Sequence, residues 1–153
     1  MKYAQQTDVA SDRSRGEIER TLTRYGATKF AYGWDEGRAV IQFEAHGRRI
    51  RFILPLPSVD DVKRTPKGRV RNAKTWQAVR DQATRQRWRA LLLSIKAKLE
   101  SVESGIEEFD EAFMAQIVLP DGSTVGERIK PEISGAYAGG QFQPFLLTAP
   151  KER

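Results

Sequence analysis

The sequence has no cysteine and a single histidine. Without cysteine there are no disulfides, no thiolate metal sites and no thiol nucleophile, and the composition suits a reducing, cytoplasmic compartment. The sole imidazole is His46, beside Gly47 in what reads as a hairpin turn, where a polar side chain is tolerated without chemical duty. No G-x-S-x-G elbow accompanies it, and neither a Walker-type phosphate loop nor G-x-G-x-x-G occurs. Long apolar runs are also missing. The longest, such as Ala90-Leu91-Leu92-Leu93, fall far short of the ~20 residues a bilayer span needs, so no membrane partner is expected. Met1 to Ser11 lacks the apolar centre of a secretory signal.

What is present is enough for one core. The chain has 153 residues, 39% of them hydrophobic, with seven Phe, four Tyr and three Trp. That is ordinary single-domain material, too apolar for wholesale disorder. Charge is strongly segregated. Residues 1–37 balance six basic against six acidic residues, residues 38–98 carry sixteen basic and four acidic, and residues 99–153 carry four basic and ten acidic. A basic centre next to an acidic end either meets an external polyanion or pairs with its own opposite, within the chain or between copies.

Periodicity predicts an α+β domain over residues 1–153. Residues 1–10 read as a flexible polar arm. Ser14-x-x-Glu17 then reads as a capping box, followed by Ile18, Leu22 and Tyr25 on one helical face and Gly26 as a stop, which predicts a helix over 12–25. Phe30 and Tyr32, then Ala39, Ile41 and Phe43, then Ile50, Phe52 and Leu54 alternate with polar partners. Turns at Asp35-Glu36-Gly37 and His46-Gly47 make these a three-stranded antiparallel meander, ended by Pro55 and Pro57. Residues 58–73 lose all period and read as an exposed, mobile basic loop.

A long basic helix is expected over 74–104. Its main stripe is Trp88, Leu91, Leu92, Ile95, Leu99 and Val102; a second stripe of Trp76, Val79 and Ala83 is out of phase with it. That mismatch predicts either a bend near Thr84–Arg87 or two halves packed on different partners. Shorter helices follow, an acidic one over 106–116 on Ile106, Phe109, Phe113 and Ile117, and a last one near 124–138 interrupted by Pro131. Phe142, Phe145, Leu146 and Leu147 form an apolar tail expected to cover the core.

Glu107, Glu108, Asp110 and Glu111 read as the solvated side of the acidic helix, not as metal ligands. No catalytic residue, metal ligand or cofactor is assigned. The signal above background is basic: residues 63–98 hold seven Arg and five Lys against one acid, Asp81. Such a stripe neutralises phosphates and releases counterions, and the Arg fork matches phosphate geometry. The candidate nucleic-acid contacts are Arg49 and Arg51 on the open sheet face, Lys63, Arg64, Lys67, Arg69 and Arg71 in the loop, and Lys74, Arg85, Arg89 and Lys96 on the helix, with Trp76 placed to stack on a base. The competing reading is a solvated helix face that balances the acidic end. Trp88 belongs to the core.

The order helix, three-stranded meander, helix resembles the double-stranded-RNA-binding domain in topology alone, and the long second helix departs from that family. Four strings are similar to small, mostly uncharacterised phage- and prophage-type proteins: Tyr25-Gly26-Ala27 with Phe30 and Tyr32-Gly33; Arg49 to Pro57; Arg87 to Glu100; and Ile117 to Gly122. That resemblance implies no activity and no catalytic residue, and it favours phage nucleic-acid metabolism or a host-directed binding protein. Three functions follow in order: a non-catalytic nucleic-acid-binding protein; a protein-interaction module or homo-oligomer; and a carboxylate- and metal-dependent enzyme acting on nucleic acid.

Overall fold

Alternation of apolar and polar residues builds the centre of the molecule. In the computed structural model, which describes residues 2–35 and 37–140, β1 (Thr28–Trp34), β2 (Arg38–Ala45) and β3 (Arg48–Pro55) form an antiparallel sheet in that order. Ala39, Ile41, Phe43 and Ala45 of β2 are buried, as are Ile50 and Phe52 of β3. The register pairs Ile41 with Phe52 and Phe43 with Ile50, so one face is continuously apolar. At the second turn His46 and Gly47 both take positive φ, 51° and 71°, which matches the twist of a two-residue hairpin. At the first, the Asp35 carboxylate accepts from the N–H groups of Gly37 and Arg38, both at 3.0 Å. Along β1 the pairing with β2 is interrupted between Thr28 and Ala31, where Lys29 adopts φ 54°.

Two helices cover the apolar face. α1 (Lys2–Arg24) contributes Ile18 and Leu22, and α3 (Ala73–Glu103) contributes Trp88, Leu91, Leu92, Ile95 and Leu99. Trp88 is 1% exposed, and its ring meets Tyr32 at 5.6 Å. Phe113 follows the short helix α4 (Phe109–Ala112) and wedges edge-on between Phe43 and Phe52 at 6.3 and 6.2 Å. Val118 donates its N–H to the Arg49 carbonyl at 2.8 Å, tying the chain after the 3-10 turn Met114–Gln116 to the edge of β3. The fold is α+β: a helix, a three-stranded antiparallel sheet, a 31-residue helix, then shorter helices.

Several boundaries differ from expectation, each for a physical reason. The backbone of α1 is helical from Lys2, so residues 2–10 continue the helix and Ser14 lies inside it. Ser-x-x-Glu permits a helix start but does not impose one when the preceding residues can propagate the helix. Residues 58–73 are structured. Ser58 and Asp61 make a reciprocal capping box on α2 (Val59–Val62), whose Val62 is buried, and residues 63–71 form a short ribbon. α3 is one continuous helix, and it packs on several partners, α1, α2, α4 and β3.

The acidic helix is shorter than 106–116. Glu108 is its N-cap, and Ile106, expected on the apolar stripe, is 77% exposed. Gly105 takes φ 73°, the Ile106 and Glu107 N–H groups turn back to Ser101 O, and Ser101 Oγ holds the Glu107 carboxylate at 2.7 Å, so the link to α4 is a tight turn and not a helix. α5 (Val125–Gly139) runs through Pro131 without a break. The missing N–H orphans a single carbonyl, that of Glu127, on an exposed helix where water serves it. The apolar residues Phe142 to Leu147 lie outside the described residues.

Candidate nucleic-acid interface

The basic segment is sorted by what each cation touches. On one flank of α3 three long side chains reach back to the protein's own carbonyls. Arg80 Nε donates to Pro57 O at 3.2 Å, Arg87 Nη1 to Pro55 O at 2.7 Å and Lys98 Nζ to Ala112 O at 2.7 Å. Prolines lack an N–H, so the chain leaving β3 cannot continue its ladder; Arg87 and Arg80 fasten it to the helix.

The opposite flank faces solvent. Lys74, Arg85 and Lys96 are spaced by eleven residues, close to three full turns, so they line up along α3 at intervals of about 16 Å. Arg89 lies one turn beyond Arg85. Lys74, Arg85 and Arg89 are exposed and pair with no described carboxylate, whereas Lys96 meets Glu17 of α1 at 2.6 Å. That ion pair and the hydrogen bond within it hold the Glu17 carboxyl below its ordinary range, with Arg20 and Arg13 adding to the effect. Arg13, Glu17, Arg89, Leu93 and Lys96 line a shallow groove of about 450 Å³ between α1 and α3. Arg13 was not among the predicted contacts. Its signal was legible, because Arg13, Glu17, Arg20 and Arg24 fall on one flank of α1.

The ribbon 63–71 divides in the same way. Arg71 Nη1 donates to the carbonyls of Val62 and Arg64, both at 2.8 Å, and Arg64 Nη1 donates to Gly68 O at 3.1 Å. These two arginines hold the ribbon's shape. Lys63, Lys67 and Arg69 are exposed, with side chains that meet no described carboxylate.

On the open sheet face Arg51 Nη1 donates to Gly122 O at 2.8 Å and Nε to Gln42 Oε1 at 3.3 Å. Arg49 lies 3.7 Å from Glu44, whose carboxyl Lys29 holds below its ordinary range at 2.7 Å, Arg49 contributing less. Trp76 is half-buried. Of the twelve predicted contacts, then, Lys63, Lys67, Arg69, Lys74, Arg85 and Arg89 present side chains that meet no described carboxylate. Arg51, Arg64 and Arg71 are engaged with backbone carbonyls, and Arg49 and Lys96 with carboxylates.

His46 stacks on Phe109 with ring centroids 4.4 Å apart, a packing contact at the turn. Among the described residues no helix is long and apolar enough to cross a membrane, and no three carboxylate or histidine side chains gather as a metal site. Comparison with protein-family profiles, curated proteins and solved structures returns no match for this chain.

Proposed function

We propose that this protein is a non-catalytic nucleic-acid-binding protein that grips the phosphate backbone with the ribbon 63–71 and the solvent flank of α3. The observation that carries this reading is the division of cations just described. Six exposed basic side chains, Lys63, Lys67, Arg69, Lys74, Arg85 and Arg89, stand without described carboxylate partners on two adjoining elements. Fixed elements support them, so binding would cost little ordering entropy. The other basic residues of the segment maintain the scaffold. Contact is directed at phosphates, which position a protein on the polymer.

The test is fluorescence anisotropy of labelled single- and double-stranded DNA and RNA across a salt series. Binding that weakens steeply with salt supports the reading, since each phosphate neutralised adds about 0.9 to the slope on duplex DNA. Absence of binding at low salt overturns it.

A protein-interaction role is the second reading, and α5 is what favours it. Ile133 is 41% and Tyr137 90% exposed, and none of the helix's residues is buried. Analytical ultracentrifugation of the chain with Ile133 and Tyr137 intact or replaced by Ser tests self-association through that helix.

A further inference from the structure

The ribbon 63–71 is more firmly built than phosphate binding requires. Arg64 and Val70 pair across it. Thr65 N–H donates to Arg69 O and Gly68 N–H to Thr65 O, both at 2.8 Å, and Arg69 N–H donates to Thr65 Oγ1 at 3.1 Å. Gly68 takes φ 82°, which closes the tip, and Arg71 locks the base. At the end of this frame Arg69 is exposed and Val70 is 68% exposed. A phosphate accounts for Arg69 and Lys67. It does not account for an aliphatic side chain held in water on a rigid support.

Base edges account for both. The major groove of B-form DNA admits a two-stranded ribbon; guanine offers there two acceptors that match the Arg fork, and thymine offers a methyl group for apolar contact. Neighbouring residues of an extended strand point to opposite faces, so a ribbon standing tip-first in the groove directs Arg69 and Val70 to different base edges.

We infer that the 63–71 ribbon is a reading head for the major groove of double-stranded DNA, with Arg69 addressed to guanine and Val70 to a thymine methyl. This rests on the nucleic-acid reading above and adds sequence preference to it. The solvent flank of α3 then follows the phosphate backbone beside the groove. Double-stranded RNA fits less well, because its major groove is deep and narrow. A single strand calls for exposed aromatic platforms beside the cations; Trp76, at the start of α3, is half-buried, and the exposed Trp34 and Tyr137 belong to β1 and α5, not to the ribbon or α3.

Selection of random duplex DNA with the full chain, followed by anisotropy on the enriched duplex, tests this. A shuffled duplex, the RNA duplex and the single strand of the enriched sequence serve as comparisons. The expected result is an enriched site bound about tenfold or more tighter than the shuffled duplex. Arg69→Lys keeps the charge but loses the fork. It should abolish that preference, so that the variant binds the enriched and the shuffled duplex with equal affinity whatever it loses on both. Val70→Ala should reduce the preference by a smaller factor.

Failure to enrich a site, or a preference that survives Arg69→Lys, overturns the reading head and leaves backbone binding standing. Tighter binding of RNA or of single strands than of duplex DNA also overturns it. No binding of any nucleic acid overturns the reading head together with the function beneath it.

Discussion

The two flanks of α3 are built from the same residue types and do opposite things. Arg80, Arg87 and Lys98 end on backbone carbonyls, while Lys74, Arg85 and Arg89 end in solvent. The difference does not lie in the side chains. It lies in what the helix faces on each side: on one, a proline-containing exit strand and the end of α4 bring carbonyls within reach; on the other, there is water and the polar flank of α1. A count of Lys and Arg therefore overstates the surface available to a polyanion, and only a neighbour-by-neighbour account separates fasteners from contacts.

The largest effect is expected on the solvent side. Replacing Lys67, Arg69, Arg85 and Arg89 together with Ala should lower affinity for duplex nucleic acid by about 100-fold or more at low salt and flatten the salt slope by about three to four. Thermal unfolding should shift little, since each change is worth within about 0.5 kcal/mol at such surface sites. An unchanged salt slope would break the comparison.

Arg71→Ala comes next. It removes two charge-assisted bonds to carbonyls, each worth about 1.5–3 kcal/mol at most. The cost should appear locally, as faster hydrogen exchange at the amides of Thr65 and Gly68. Exchange that is no faster in the variant would show that Arg71 does not hold the ribbon.

Arg87→Ala should cost about 1 kcal/mol in urea unfolding without altering the salt slope, the mirror image of the solvent-side variant. If Arg87→Ala weakened binding while leaving stability alone, the two flanks would have exchanged roles.

The smallest effect concerns pH. The folded Glu17 carboxyl titrates below its ordinary value because of Lys96. A depressed carboxyl stabilises the fold above its unfolded value, and that contribution is lost as pH falls through the folded value. Glu17→Gln should remove this part of the acid-side decline in melting temperature. An identical pH profile in the variant would dissociate the pair from stability.

Much of the fold was legible because burial leaves a period in the sequence. Alternation around Ile41, Phe43, Ile50 and Phe52 located the meander, and the stripe from Trp88 to Leu99 located the buried side of α3. Gly26, at positive φ, ended α1 as its placement predicted, and Gly105 and Gly140, also at positive φ, follow the ends of α3 and α5. The ribbon was missed because its order comes from Arg64 and Arg71 binding carbonyls, and a donor with many possible acceptors leaves no periodic trace. Ile106 was misassigned for a related reason: its spacing to Phe109 and Phe113 suits a helix, but that helix begins only at Phe109. For the candidate site, the basic segment was visible as composition. The division within it was not, because it depends on Pro55, Pro57 and Ala112 being near in space.

The irregular start of β1 bears on how such a protein behaves when crowded. A bare edge strand is a template on which copies add to one another. Here the ladder is broken between Thr28 and Ala31, with Lys29 in the left-handed region directing its charge to Glu44. A kinked, charged edge resists edge-to-edge growth, so copies gathered at high local density along a polyanion would remain discrete instead of fusing their sheets into fibres.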